Sequence, residues 1–264
     1  MLPRPRIAVA LLLPLVLGGA LAAVAGGPPP EVSARLGRAL KLLEPGSFVG
    51  SYTTTTHSAV SKRDGSDREE SVLVQHNTVL PDGRREMELV SARKNGKDVT
   101  EEERKRFNAE VKRQEKKKKD GKAEKDGEKE FKLPFEEGNE KNFAFGAPVP
   151  EGELLVQAFE AVADHRKDAG MTRGKLAWNP GTLDPAWIEF TFATMPAGVS
   201  EFLFRFEFAR TGEEVVLRRM VTSGVGGLLW IKRRFSADVE FSDLVRAQPS
   251  EATPAATPTA PPPS

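Results

Sequence analysis

Few residues in this chain could do chemistry. Its 264 residues include three histidines and no cysteine, which excludes disulfides, thiol nucleophiles, Cys-based metal or cluster sites and a lipidated N-terminal cysteine. His57 and His76 fall in segments that read as neighbouring strands, but no acidic residue stands beside them at a metal-ligand spacing. His165 sits beside Asp164 and Asp168 in a polar loop, where exposure to solvent accounts for it. Neither a Gly-x-Ser-x-Gly elbow nor a Gly-x-x-x-x-Gly-Lys phosphate loop occurs. Gly224-Val225-Gly226-Gly227 lacks the dinucleotide-binding spacing and reads as a hairpin turn. The expectation is therefore no catalytic residue, no metal and no cofactor. The contrary reading is a hydrolase whose site includes His57 or His76.

What the chain offers instead is an aromatic surface. Phe202, Phe204, Phe206 and Phe208 recur at every second position, separated by Leu203, Arg205 and Glu207, and Phe190 and Phe192 share the pattern one strand earlier. This period puts all six rings on one face of a sheet. At about 25 cal/mol per Å2 and about 150–200 Å2 for each ring, burying Phe202 to Phe208 contributes on the order of 15 kcal/mol. A face that apolar must be covered by a helix, a second sheet or a ligand. Phe190, Phe192, Phe202, Phe204, Phe206 and Phe208 are accordingly the candidate ligand-binding residues, part core and part cavity wall. Trp178, Trp187 and Trp230 form a possible sugar platform, with ordinary packing as the competing reading.

These side chains need elements to position them. Val32, Leu36, Leu40 and Leu43 recur at helical spacing within 31–43, and Pro45-Gly46 ends that helix. The period then becomes two: strands at 47–58 and 71–80, the turn Pro81-Asp82-Gly83, and a hairpin partner at 84–91. Thr100-Glu101-Glu102-Glu103 reads as a capping box opening a charged helix. Residues 101–130 carry 12 basic and 10 acidic side chains, so the Lys116–Lys119 run reads as part of a solvated helix and 97–142 as an exposed insertion. Residues 153–163 lean to strand. Strands follow at 175–178, 187–193, 201–209, 215–221 and 228–239, the last three a meander joined by short turns.

The two ends read differently from the body. Residues 1–25 have the pattern of a signal peptide: Arg4 and Arg6, an apolar run from Ile7 to Leu17, then Ala23-Val24-Ala25 before Gly26. Ala20-Leu21-Ala22 is a second cleavage site, and an uncleaved anchor is the alternative. Residues 248–264, nearly all Pro, Ala, Thr and Ser, read as a disordered tail. The 39 basic and 38 acidic residues nearly cancel, so no nucleic-acid partner is expected.

The order of elements resembles the bacterial outer-membrane lipoprotein-sorting family (LolA/LolB-like). The resemblance is carried by an exported chain with an N-terminal amphipathic helix, then Gly46-Ser47-Phe48 opening a long meander. Also similar are Gly174-Lys175-Leu176-Ala177-Trp178-Asn179-Pro180, Met195-Pro196, Trp230-Ile231-Lys232-Arg233-Arg234-Phe235 and Phe241-Ser242-Asp243. Asn179 stands where relatives more often have aspartate. The resemblance implies a mainly β (α+β) fold over 26–247: an antiparallel half-barrel meander whose apolar face is lidded by helices and accepts acyl chains. Val32, Leu36, Leu40 and Leu43 would be the lid, and Arg205, Arg218 and Arg219 are the candidates for a gating arginine. The implied function is an exported periplasmic carrier of an acylated lipid or lipoprotein. The alternative is an envelope sensor or adaptor that uses the same fold to bind a protein partner.

Overall fold

The computed structural model describes residues 26–41, 48–119, 131–136, 138–228 and 231–247. The signal-peptide pattern, Leu43, Pro45-Gly46, Trp230 and the 248–264 segment lie outside them. The chain opens with α1 (Pro30–Leu40), followed by β1 (Gly50–Lys62), β2 (Glu69–Val79), β3 (Arg85–Lys94), β4 (Lys97–Asp98) and α2 (Thr100–Lys119). Then come β5 (Phe143–Phe145), β6 (Val149–Glu151), β7 (Leu154–Ala161), β8 (Thr172–Trp178), β9 (Pro185–Phe192), β10 (Val199–Thr211), β11 (Glu214–Leu228) and β12 (Ile231–Arg246). The 12 strands form one antiparallel sheet in the order β4-β3-β2-β1-β12-β11-β10-β9-β8-β7-β5, with β6 also paired to β7. The sheet is open. The mainly β half-barrel meander expected from the sequence is the observed fold.

Two meanders are joined by the β1–β12 pair, which runs from Gly50↔Arg246 to Lys62↔Arg233. Period-two alternation then aligns one row of inward side chains across the sheet. Gln157, Leu176, Ile188, Phe206, Met220, Val239, Thr56, Leu73 and Ala92 are successive register partners from β7 to β3. Because α1 begins with Pro30 and Glu31, its first turn has a preset φ and a carboxylate against the helix dipole. Its Val32, Leu36 and Ala39 are fully buried, and it packs on β11 and β9. Burying Val32 and Leu36 stabilises the fold by about 1.5–3 kcal/mol each.

Two expectations are corrected. Gly224-Val225-Gly226-Gly227 is not a turn: it continues β11, pairing through Gly224↔Phe235 to Leu228↔Ile231. The glycine serves packing, since a Cβ at Gly224 would lie 2.6 Å from both the Phe235 ring and the Glu201 carbonyl oxygen. Nor is the 97–142 insertion exposed throughout. Leu133 is completely buried and Phe135 is 9% exposed, because the chain returns from the insertion across the aromatic face. At its start, the Thr100 hydroxyl bonds the backbone of Ala92 on β3, while the Asp98 carboxylate accepts from Thr100 N–H. The hydroxyl expected to cap the helix thus ties α2 to the sheet.

Candidate functional site

The phenylalanines of β9 and β10 form a continuous aromatic floor. Phe190 and Phe204 are register partners, and their rings stack with centroids 5.2 Å apart. Phe202 lies edge-on to Phe204 at 4.5 Å and 5.2 Å from Phe192. Phe190, Phe192, Phe206 and Phe208 are buried, whereas Phe202 and Phe204 are only partly so.

Two covers lie on this floor. One is α1, seated through Val32, Leu36 and Ala39, with Leu40 partly buried beside them; Leu43 lies outside the described residues. The other is the return segment 131–136. Its Phe131 ring sits 5.0 Å from Phe190, 5.4 Å from Phe204 and 6.1 Å from Phe206. This second cover is stitched to the sheet: Lys132 N–H donates to the Gly170 carbonyl, and the Thr172 hydroxyl donates to the Lys132 carbonyl. Sequence reasoning missed it because a strongly charged stretch precedes it. The signal in the sequence is the apolar run Phe131, Leu133 and Phe135 directly after that stretch.

At the rim, α1 is held by a polar latch. Arg35 donates through Nη1 to the Thr182 carbonyl at 2.6 Å and to Asp184 Oδ1 at 2.5 Å. Arg210, at the end of β10, donates to both oxygens of the same carboxylate at 2.9 and 2.7 Å. The Arg210 guanidinium, with help from Thr182 and Arg35, holds the Asp184 carboxyl below the usual carboxylate range, against the opposing effect of its burial. Neither Arg35 nor Asp184 stood out in the sequence, since 149 residues separate them.

The opposite face of the same strands is ionic. Arg205 bonds Glu207 at 2.9 Å and lies 4.6 Å over the Trp187 ring. Arg219 grips Asp238 through Nε and Nη2, holding that carboxyl below its ordinary range. Arg205 and Arg219 therefore belong to a solvated charge ladder on the outer face, away from the aromatic floor, and Arg218 is exposed. Trp178 and Trp187 do not share a platform: Trp178 is in the core at 2% exposure and Trp187 is on the ionic face, while Trp230 lies outside the described residues. Thr53, not His57, is the partner of His76, and His57 faces Val72. His165 pairs with Asp168 at 2.8 Å, both half exposed. Among the described residues no group of His, Asp and Glu is arranged to hold a metal ion.

Where α1 begins, a cavity of about 240 Å3 lies between the 26–29 segment and Leu155, Gln157, Trp178 and Leu183. Gln157 donates its amide hydrogens to the carbonyls of Gly26 and Gly146. Its Oε1 and the Trp178 indole N–H, both buried, have no partner among the described residues. Leaving such groups unpaired costs about 1–3 kcal/mol each.

No family model matches this chain, and no curated protein matches it. Solved structures with a similar course of the chain include an outer membrane lipoprotein-sorting protein domain from Vibrio parahaemolyticus. It is 11% identical, covers 80% of this chain and 92% of its own, and has a TM-score of 0.29. A DUF1329 family protein from Desulfovibrio piger is 7% identical, over 81% of this chain and 92% of its own, at a TM-score of 0.28. The MucA/MucB complex of Pseudomonas aeruginosa supplies a chain 10% identical, over 80% of this chain and 94% of that one, at a TM-score of 0.22. At these values none of the likenesses bears on function; the geometry of the aromatic face does.

Proposed function

We propose that the chain is an exported envelope protein without enzymatic activity that carries an acylated lipid or lipoprotein, the acyl chains lying on the Phe190–Phe208 floor beneath α1. One observation carries this reading. Among the described residues α1 buries the apolar side chains Val32, Leu36 and Ala39 in one cluster with Phe190, Phe206 and Phe208, and its polar tether Arg35 reaches the rim. Acyl chains offer the floor the same kind of contact, so ligand can replace cover at small net cost. The signal-peptide pattern at 1–25 supports placing the protein in the periplasm, with cleavage after Ala25.

A fluorescent dodecanoyl probe tests this. Phe204 is partly exposed at the edge of the Phe131 cover, so Phe204→Asp puts a charge on the floor and should reduce probe uptake at least about tenfold. Thermal unfolding is followed in parallel. Undiminished uptake by a folded variant would rule the floor out as the acyl site.

The second reading, an adaptor for a protein partner, has its own observation. Along β3, Arg93 and Lys94 pair with β4, the Ala92 backbone and the Leu89 carbonyl are bonded by Val99, Thr100 and Arg104, and among the described residues no other strand meets the rest of that outer edge. Met87 and Val90 on β3 are 43% and 49% exposed. An extended segment of a partner could add to such an edge.

A further inference from the structure

Beside the aromatic floor lies a second site that the acyl-chain reading leaves unused: the cavity under the 26–29 segment, two of whose lining residues carry an unpartnered donor and an unpartnered acceptor sealed behind its wall. The donor is the Trp178 indole N–H and the acceptor is Gln157 Oε1, each on a side chain only 2% exposed. The amide cannot be turned to relieve the mismatch. Its nitrogen already donates to two carbonyls, Gly26 O at 3.1 Å and Gly146 O at 2.9 Å, and a flipped oxygen would face two acceptors. Trp178 is the register partner of Leu155, two residues from Gln157 on the same face, which makes the pair diagonal neighbours about 7–8 Å apart at the backbone. Pro28, Pro29, Leu155 and Leu183 supply an otherwise apolar lining.

The cavity and the floor lie along one row of the sheet whose intervening side chains are buried in the closed form. Gln157 leads through its register partners Leu176 and Ile188 to Phe206, so a group held at Gln157 can extend an alkyl chain along that row once the cover has moved aside. Three strand spacings, about 14 Å, separate the two ends.

We infer that the Gln157–Trp178 cavity is a head-group subsite for a secondary amide at the end of an acyl chain, its carbonyl accepting from Trp178 Nε1–H and its N–H donating to Gln157 Oε1. The inference rests on the acyl-chain reading and adds the linkage class to it. An ester brings an acceptor and no donor, and leaves Gln157 Oε1 unpaired. A fatty-acid carboxylate brings only acceptors, and its charge is poorly accommodated by proline and leucine walls. Both polar atoms are shielded in the closed form, so entry requires the Gly26–Pro29 segment to move off Gln157.

N-methyldodecanamide and methyl dodecanoate, matched in chain and differing in the donor, are titrated by calorimetry into the chain beginning at Gly26. The amide should bind at least about tenfold more tightly. Gln157→Leu should bring the two affinities to within about twofold while leaving the ester unchanged, whereas Trp178→Phe, which removes the donor that both carbonyls use, should weaken amide and ester alike and preserve their ratio. In the wild-type chain, the Trp178 indole N–H resonance, identified as the one of three tryptophan signals missing from Trp178→Phe, should shift with the amide. If a variant does not fold, the wild-type resonance and the affinity ratio decide. Equal wild-type affinities, or an indole resonance unmoved by the amide, overturn the subsite and leave the acyl-chain reading standing. Failure of a folded wild-type chain to bind either probe overturns both.

Discussion

Asp184 is the residue at which the lid is tied down. Its carboxylate accepts from Arg35 on α1 and from Arg210 at the end of β10, so one side chain joins a helix to the strand carrying the floor. Asp184→Asn removes the charge from both bonds and should destabilise the fold by about 1–2 kcal/mol at pH 7, allowing for the partial exposure of the arginines. The pH dependence has a definite sign. The folded Asp184 carboxyl titrates below its ordinary value, so its contribution is complete above the unfolded pKa of about 3.9 and is lost as pH falls through the folded one. Urea unfolding should thus separate wild type from Asp184→Asn at pH 7 and bring them together as the pH falls well below 4. An equal gap at both pH values would deny the carboxylate this role. None of this latch was legible in the sequence, because a pair 149 residues apart leaves no local pattern. Gly224 shows the opposite failure. Its neighbours suggest a turn, while its actual cause is the Phe235 ring packed over it.

At the scale of elements, floor and covers have different standing. Phe206, 1% exposed, belongs to a strand hydrogen-bonded on both sides, whereas Phe131 lies on top of it as part of the return segment. Phe131→Ala should cost up to about 3 kcal/mol yet raise uptake of a dodecanoyl probe, since it clears the space above Phe190 and Phe204. Phe206→Ala should cost about 3–5 kcal/mol and lower uptake. The pair is checked by chemical unfolding and probe binding on the same samples; lowered uptake in both would mean that Phe131 is wall and not cover. The strands were legible because period-two alternation at 187–193 and 201–209 survives in any sheet buried on one face. Val32 and Leu36 were legible for the same kind of reason, at helical spacing. The second cover was not: its burial depends on where the chain returns after a charged helix, and Phe131 to Phe135 carry no period that distinguishes cover from loop.

Across the described residues, one open sheet presents an ionic outer face and an aromatic inner one, and the inner face is covered by α1 and by the returning end of the insertion. Arg205, Glu207, Arg219 and Asp238 form ion pairs on the outer face. The most direct measurement is native mass spectrometry of the chain beginning at Gly26, exported in a bacterial host and purified without detergent, with lipid analysis of an extract. The account predicts a stoichiometric acylated species that is lost on organic extraction and restored by an added dodecanoyl compound. A bare protein mass that no acyl compound alters would contradict it and leave the aromatic face as core alone.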